Sequence, residues 1–510
     1  MGFDSTINKF MSDNFNEIPV ANISNSKIIH LTNIGTHNFK PHEIALIDTP
    51  LIQRLKFISQ LGPSYYVFPT ARHSRFEHSL GVTIMISQMF KSLSDNSQLK
   101  FLTNLSQKEK LLNELRVAAL AHDIGHGPFS HVSEVVMEEY SDTLHSETLK
   151  LSCKCHEAIG YHVIKSDSFK QFFDDISKFY GITLNPDEIA NLIIGNVNNP
   201  EEEQFKADLL NGEFDADKLD YIIRDSYFSG VQLALGIDRF LLSLGIENIQ
   251  TKYGNKKKLI LTEKGIMAME QIVIGKIMLH EAIYHHQKVR AIDQMIIALL
   301  RMILTKKPEI NGEKIETPID LLKLDDYDIL KLQNCDGKIN ALCKSLKNRK
   351  TFKRALVISP KTMILGEDPI NSDSFWDVLK YGEFPQELRK LNRILAERIG
   401  YNCTEFDVAI DIPKPPELKE TTQKLIKNID RFTTIKDIFP QKEWLDAYIA
   451  NKWSGHIFAV DDYRKSAQKE GQELLEETFH IEFNENAKKF AKINPPYKNN
   501  NKNLFDFNFS

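Results

Sequence analysis

The chain has 510 residues, of which 42% are hydrophobic and 26% charged, and its formal net charge is −5. These values are ordinary for a globular protein, and the small negative charge excludes bulk attraction to nucleic acid or to an anionic membrane. Five scattered cysteines are too few for a disulfide framework, and no apolar run reaches the ~18 residues of a spanning helix. The composition therefore predicts a cytoplasmic protein without membrane association, whose phosphate contacts must come from local basic groups.

Helical patterning dominates the first 300 residues. The first clear element is a helix over 74–95, because Ser74 and Glu77 have capping-box spacing and are followed by helical apolar spacing. The Asn, Pro and charge content of residues 195–204 predicts a loop. The same helical spacing marks residues 106–124, 216–228 and the long stretch 262–304.

The character of the sequence changes after about residue 310. Lys- and Asp-rich helical pieces alternate there with strand candidates at 352–359 and 406–413. The prediction is a mainly α protein with a helical core and a smaller α/β C-terminal portion. The expected segments are an N-terminal extension (1–24), the core (25–310), a helical or mixed extension (311–400), the α/β portion (401–490) and a flexible tail (491–510).

A dense polar motif ends an apolar helix in "LRVAALAHDIGHGPFSH", residues 115–131. Sixteen histidines in 510 residues predict about 0.3 per ten-residue window, yet His122, His126 and His131 share one. Two glycines and a proline indicate that the helix ends near His122 and Asp123, with the other histidines on a turn beside them. Imidazole and carboxylate together favour Fe, Mn, Zn, Co or Ni over Ca or Mg. One His–Asp pair supplies only two ligands, so a hydrolytic metal site needs others.

Further polar positions interrupt otherwise apolar helices. Asp217, Tyr221 and Asp225 are spaced i, i+4, i+8 and form a polar stripe on one helix face. Lys276, His280 and Tyr284 repeat this spacing, and His78 lies near the start of the 74–95 helix. Taken singly, these residues fit a solvated histidine, a helix-start aspartate and an exposed face. Taken as a set, they predict the walls of a polar, metal-binding cavity.

The order His78, His122–Asp123, Asp217 resembles the signature of the HD-domain metal-dependent phosphohydrolases. The blocks "QLGPSYYVFPTARHSRFEHSLGV", "AHDIGHGPFSH" and "FDADKLDYIIRDSYFSG" resemble, more narrowly, the deoxynucleoside triphosphate (dNTP) triphosphohydrolase branch of that family. The resemblance covers roughly residues 25–300. It implies an HD-domain helical core and metal-dependent hydrolysis of dNTPs to deoxynucleoside and inorganic triphosphate.

The resemblance also implies residue roles. The ligands of one transition metal would be His78, His122, Asp123 and Asp217. The catalytic group would be His126, His131, His156 and Glu157, with Glu134 standing where relatives have Asp. The substrate contacts would be Gln60, Leu61, Arg75, Lys218, Tyr221, Asp225, Lys276 and Tyr284, the Lys276 position being Arg in relatives. A partial match to an activating-nucleotide site comprises Lys27, Asp48, Gln53 and Lys56.

These roles agree with the chemistry of hydrolysis at the α-phosphate. Cations must stabilise the phosphoryl oxygens, and Arg75 and Lys218 can do so together with Mg²⁺ on the triphosphate. An acid must protonate the departing 5′-oxygen, and the hypothesis assigns this to His126 or His131, with Glu157 orienting an imidazole. The resemblance further implies dNTPs as partners, a nucleotide activator and a homo-oligomer (dimer or tetramer). The residues do not decide between a role in nucleotide-pool balance and one in antiviral defence.

Other functions remain open at the level of sequence. The same metal site could serve an HD-superfamily phosphodiesterase or nuclease acting on DNA or RNA. The cyclic-dinucleotide branch fits poorly, because its HD is followed by "IGK", whereas the continuation here is "IGHGPFSH". A nucleotide sensor without activity is a third interpretation. The preferred dNTP and the native metal do not follow from the residues.

Overall fold

The computed structural model describes residues 2–15, 23–251, 254–332, 337–365, 372–416, 426–428, 431–434 and 437–492. The chain divides into two compact units, Met1–Thr351 with Lys414–Trp453, and Phe352–Pro413 with Ser454–Ser510. These two units do not coincide with the five segments predicted from the sequence. The boundaries of those segments stay a prediction. Most of the predicted tail, residues 493–510, lies outside the described residues.

Helices make up most of the described chain. The first eleven are α1 (Phe3–Asn14), α2 (Pro41–Ile47), α3 (Pro50–Arg54), α4 (Arg75–Asp95), α5 (Leu105–Ala121), α6 (His131–Glu139), α7 (Asp142–Leu151), α8 (Cys155–Ile164), α9 (Asp167–Tyr180), α10 (Pro186–Ile193) and α11 (Pro200–Asn211). The others are α12 (Ala216–Ser229), α13 (Ile237–Leu242), α14 (Ile266–Leu279), α15 (Gln287–Lys306), α16 (Asp326–Leu330), α17 (Gly337–Lys347), α18 (Asp373–Tyr381), α19 (Pro385–Ile399), α20 (Gln441–Asn451), α21 (Arg464–Phe479) and α22 (Asn486–Lys489).

The strands form small sheets. They are β1 (Lys27–Leu31), β2 (Gly35–Phe39), β3 (Leu244–Thr251), β4 (Gly254–Thr262), β5 (Glu309–Ile310), β6 (Glu313–Lys314), β7 (Lys353–Ile358), β8 (Val408–Asp411), β9 (Ile426–Asn428), β10 (Arg431–Thr433) and β11 (Gly455–Ala459). β1–β2 and β5–β6 are antiparallel pairs, and β10–β9–β4–β3 is a four-stranded sheet in which β4 and β9 run parallel. The prediction of a mainly α chain with a minor β component is confirmed.

In the first unit, α4 packs against both α5 and α12, which brings together the three places where the candidate ligands lie. α4 begins at the predicted capping box of Ser74 and Glu77. α5 is buried from Leu115 to Ala121 and ends there, as the glycines and proline after it predicted. Asp215 caps the N-terminus of α12, and its Oδ1 accepts the Lys218 backbone N–H at 2.7 Å.

One loop prediction and one helix prediction were wrong in extent. The segment 195–204 is not all loop: α11 begins at Pro200, because proline at the first helical position and three glutamates in the first turn favour a helix start. The stretch 262–304 is not one helix. It comprises the end of β4, then α14, a π-helical turn over His280–Tyr284, and α15. The β3–β4 hairpin before it was missed.

The second unit is built on the antiparallel sheet β7–β11–β8. The strands predicted at 352–359 and 406–413 are confirmed as β7 and β8. Every residue of β11 is buried, as expected for a central strand, and α21 packs against β7 and β11. None of the described helices combines the length and apolar character needed to cross a membrane.

Candidate active site

The four predicted metal ligands come together. His78 lies on α4, His122 and Asp123 follow α5, and Asp217 lies in the first turn of α12. One ligand atom from each of His78, His122 and Asp123 falls within a group 4.8 Å across. Oδ1 of Asp217 is 3.0 Å from Nε2 of His78 and 4.0 Å from Nε2 of His122. The fold thus closes a site from residues far apart in sequence.

Both histidines of this site are oriented by their second ring nitrogen. Nδ1 of His78 donates to Oδ2 of Asp220 at 2.8 Å, and Nδ1 of His122 donates to the Ala119 carbonyl at 2.7 Å. Both Nε2 atoms are buried and, among the described residues, make no hydrogen bond. Two imidazole nitrogens fixed in this way, facing the carboxylates of Asp123 and Asp217, form a donor set that fits a transition metal.

The carboxylates of the site remain ionised, as metal ligands must. Burial raises the pKa of Asp123, but Arg75, His122 and His126 outweigh burial and hold that pKa well below its usual range. Burial likewise opposes ionisation of Asp217, and the neighbouring His78 reverses the effect and lowers its pKa. Both carboxylates are therefore present in the ionised form that binds a metal.

A buried ion pair supports His78, and the sequence interpretation missed it. Asp220 accepts Nε of Arg224 at 2.8 Å and Nη2 at 2.9 Å, and both side chains are essentially inaccessible to solvent. Gly81 of α4 makes room for the pair, since a Cβ there would lie 2.0 Å from Oδ1 of Asp220. The i, i+4 Asp–Arg spacing within an apolar helix was the available signal.

A second group, here called the histidine cluster, consists of His126, His131, Glu134 and His156, whose ligand atoms also lie within 4.8 Å of one another. Oε1 of Glu134 is 3.0 Å from Nδ1 of His126 and 2.6 Å from Nδ1 of His156, and Oε2 is 3.2 Å from Nδ1 of His131. The rings of His126 and His156 stack with centroids 3.8 Å apart. His126 is wholly buried, whereas the His131 side chain is 59% exposed, so His131 presents its ring outward.

The structure places Glu157 elsewhere. Its Oε2 accepts the Lys154 backbone N–H at 2.8 Å, and its Oε1 accepts Nδ2 of Asn211 at 3.4 Å. Glu157 therefore caps the N-terminus of α8. The imidazole-orienting contacts that the sequence hypothesis assigned to Glu157 are made by Glu134.

A chain of hydrogen bonds joins the metal site to the loops around it. Arg75 is buried and donates from Nη1 to Oδ2 of Asp123 at 3.0 Å and from Nε to Oγ of Ser130 at 2.9 Å. Ser130 in turn donates to the Ser59 carbonyl at 2.6 Å. Arg75, predicted to contact phosphate, thus has two donor groups engaged in holding the site.

The turn at Phe129 and Ser130 is strained, with φ values of 58° and 57°. Asp326 of α16 stabilises it from a distant part of the chain. Its Oδ1 accepts the Phe129 N–H at 2.6 Å, and its Oδ2 accepts the Ser59 N–H at 3.0 Å. One buried carboxylate therefore fixes two loops at once.

The predicted sugar contacts meet around His73, a residue the sequence interpretation missed. Asp225 accepts Nε2 of His73 at 2.8 Å on one oxygen and the Tyr284 hydroxyl at 2.6 Å on the other. The Gln60 N–H donates to the His73 carbonyl at 3.0 Å. Leu61, Tyr221 and Tyr284 pack beside them on the buried residues Ile222, Leu279 and Ile283.

A cavity of about 510 Å³ opens beside the metal site. Asp217, Lys218, Tyr221 and Lys276 line it, together with residues around the start of α8. Nζ of Lys218 donates to the Gly212 carbonyl at 2.6 Å and pairs with Asp215. One predicted metal ligand and three predicted substrate-binding residues therefore line the same cavity.

Comparison with known proteins agrees with this arrangement. Residues 75–224 match the HD domain model, and residues 249–489 match the model of an HD associated region. The chain belongs to the HD-domain family. The first of these spans contains all four candidate ligands of the metal site.

Relatives of this HD-domain protein include dNTP triphosphohydrolases. The deoxynucleoside triphosphate triphosphohydrolase SAMHD1 of Bos taurus is 30% identical over 292 residues, which is 53% of this chain and 46% of that protein. The SAMHD1 homolog of Dictyostelium discoideum is 25% identical over 441 residues, covering 83% and 79%. An uncharacterised protein of Methanocaldococcus jannaschii is 27% identical over 418 residues, covering 82% and 75%. The predicted family is confirmed, and the match spans about half of the bovine protein.

Of the predicted activator residues of this HD-domain protein, Lys27 lies on β1, Asp48 follows α2, Gln53 lies on α3 and Lys56 follows α3. Nζ of Lys27 is 3.3 Å from Oδ2 of Asp48, and both side chains are about half exposed. Nζ of Lys56 donates to Oε1 of Gln53 at 2.5 Å. The four residues thus form two surface pairs, and their role in nucleotide binding stays a prediction.

Proposed function

We propose that this protein hydrolyses dNTPs at the α-phosphate and releases deoxynucleoside and inorganic triphosphate. The observation that carries the proposal is the position of Asp217, which belongs to the metal-fitting donor set and also lines the 510 Å³ cavity. A cavity of this size accommodates a nucleotide. The family membership and the relatives named above support the same reaction.

The proposed binding mode follows from the side chains that surround the donor set. A transition metal held by His78, His122, Asp123 and Asp217 would supply Lewis-acid activation of water and of the phosphoryl group. Arg75 keeps Asp123 in position through its Nη1 donor. In the proposal, Lys218 and Lys276 neutralise oxygens of the triphosphate, which enters with Mg²⁺.

The proposed proton donor is His131. Of the two histidines considered from sequence, His126 is wholly buried, and His131 is exposed with Nδ1 directed at Glu134. Glu134 orients the ring and partly opposes the burial that lowers the pKa of His131, and in the proposal Nε2 delivers a proton to the departing 5′-oxygen. In the balanced reaction, water adds to the α-phosphorus, the bond from that phosphorus to the 5′-oxygen breaks, and the proton that water loses replaces the one given up by His131.

The proposed sugar site comprises Gln60, Asp225 and Tyr284. Asp225 is held by His73 and Tyr284 and would accept the 3′-hydroxyl, while the Tyr284 ring would crowd the 2′ side and favour deoxyribose. Activation by a nucleotide, assembly into a dimer or tetramer, a cytoplasmic location and a role in antiviral defence are extensions of this proposal.

The test is to incubate the metal-replete protein with each dNTP, singly and in mixtures, and to measure deoxynucleoside and inorganic triphosphate. Asp217→Asn should abolish turnover, whereas Asp208→Asn, at a buried aspartate on α11 outside the site, should keep it. Pyrophosphate or orthophosphate as the sole product, or cleavage of single-stranded DNA or RNA instead, would contradict the proposal. Turnover only in mixtures would support an activator site.

A further inference from the structure

A third lysine lines the same cavity, and neither the sequence motifs nor the proposed mechanism uses it. Lys154 precedes α8, the helix that carries His156 of the histidine cluster. It lines the cavity together with Lys218 and Lys276. The segment around it therefore connects the cavity with the histidine cluster.

The ammonium group of Lys154 is available for a ligand. Its Nζ is 3.9 Å from Oε1 of Glu157, at the outer limit of an ion pair, and the side chain is 62% exposed. Glu157 does not depend on this contact, because its oxygens accept the Lys154 backbone N–H and Nδ2 of Asn211. Lys218, in contrast, must give up its bonds to Gly212 and Asp215 to reach a ligand.

The charged residues that line the cavity indicate which class of ligand would bind Lys154. Glu157, Glu213, Asp215 and Asp217 line it beside the three lysines, so the wall itself is not cationic. A polyphosphate brings several negative charges into this acidic surrounding and requires cations that are free to move onto it. A nucleobase or a sugar has no such requirement.

We infer that Lys154 is a further phosphate-binding residue of this site and contacts the polyphosphate of a bound nucleoside triphosphate. The inference rests on the proposed function, since it concerns the same cavity. It adds a cationic contact from the α7–α8 connection to the contacts that Lys218 makes from α12 and Lys276 makes from α14.

The experiment measures binding of inorganic triphosphate to the metal-replete full-length chain by titration calorimetry. Lys154→Gln should weaken binding about tenfold, the loss expected for one charge-assisted hydrogen bond, and Lys154→Arg should largely restore it. The matched control is Lys150→Gln, because Lys150 is similarly exposed, at 69%, and pairs with Glu147 on α7 away from the cavity. Equal melting temperatures of the variants exclude a folding defect.

Steady-state kinetics provide the second measurement. If Lys154 binds the polyphosphate, Lys154→Gln should raise KM for dNTPs several-fold, with a smaller effect on kcat. Unchanged triphosphate affinity in Lys154→Gln, or equal losses in Lys150→Gln, overturns the inference even when dNTP hydrolysis is intact. Absence of dNTP turnover in the unaltered protein overturns the proposed function, whatever the calorimetry shows for Lys154.

Discussion

At the scale of single residues, carboxylates and carbonyls that touch no substrate decide how the site is arranged. Asp220 fixes the ring of His78, the Ala119 carbonyl fixes that of His122, and Glu134 holds three imidazoles at once. Each contact uses Nδ1, and the Nε2 atoms of His78 and His122 face the carboxylates of the metal site. Such partners set ring orientation and basicity, so their loss affects chemistry as well as packing.

Replacing Asp220 with Asn should weaken metal binding about 10- to 100-fold, because the amide is a poorer acceptor for Nδ1 of His78 and leaves Arg224 without its counter-charge. Competition with a chromogenic chelator measures the affinity. Asp208→Asn is the control for removing a buried aspartate elsewhere. Metal affinity equal in both variants would show that Asp220 is only a packing residue.

At the scale of elements, the close approach of α4 to α12 depends on a residue without a side chain. A Cβ at Gly81 would lie 2.0 Å from Oδ1 of Asp220 and 2.2 Å from Nη2 of Arg224. Neither atom can yield without breaking the ion pair that orients His78. The contact between these helices is therefore also a determinant of metal-site geometry.

Gly81→Ala should destabilise the protein by roughly 1–3 kcal/mol or more and should lower metal affinity, because the added methyl displaces the Asp220–Arg224 pair. Gly160→Ala on α8 is the matched control. A Cβ there meets its nearest atom at 3.7 Å, so alanine should stabilise the protein by about 0.5–1 kcal/mol. Denaturant unfolding measures both, and similar values for the two variants would contradict this account.

The contact between α11 and β4 gives a pH-dependent stability. Burial raises the pKa of Asp208 to about 6, and Lys258 and the Leu259 N–H only partly oppose it. Because the pKa is higher in the folded state, this residue's contribution to stability is present below about pH 4 and lost as the pH rises through about 6.

Relative to Asp208→Asn, the unaltered protein should lose up to about 3 kcal/mol of unfolding free energy as the pH rises across this window. Urea unfolding of both proteins at several pH values measures the difference. Asp208→Asn serves as the reference, because it retains all the other titrating groups of the unaltered protein. A difference that stays constant from pH 4 to 7 would falsify the assignment.

At the scale of the whole molecule, the candidate metal joins three helices of the first unit. Its ligands come from α4, from the turn after α5 and from α12. A ligand that binds the folded chain and not the unfolded one stabilises folding by mass action. Metal content and stability should therefore change together.

The purified protein should contain about one transition metal ion per chain, and removing it with a chelator should lower the melting temperature. The stabilisation should be about 2.7 kcal/mol at a free metal concentration of one hundred times Kd. His78→Ala should remove both the metal and the chelator response. Two ions per chain would instead point to occupation of the histidine cluster as well.

The sequence predicted those parts of the fold and site that depend on local signals. The capping box of α4, the end of α5 and the strands β7 and β8 were found because turn and cap residues mark them. The candidate metal donors were identified because the HD motif and polar stripes interrupt apolar helices, and their role stays a prediction. These features need no knowledge of long-range contacts.

The rest depends on tertiary contacts that have no local signal. His73 was missed because its partner Asp225 lies 152 positions away, and Asp326 because its partner Phe129 lies 197 positions away. Glu157 was assigned to an imidazole, but its capping-box position three residues after Lys154 gives it a local task. The π-helical turn at His280–Tyr284 also has no distinct apolar period, so the stretch 262–304 was read as continuous.

The carboxylate of Asp326 has a consequence for how such a protein can be inherited. The span that matches the HD domain model ends at residue 224, yet the turn after its HD motif is fastened by a side chain from the HD associated region. A gene fusion that carried the first span to another protein would transfer all four metal donors without that fastening. A boundary drawn at residue 224 would therefore separate the turn from the side chain that holds it.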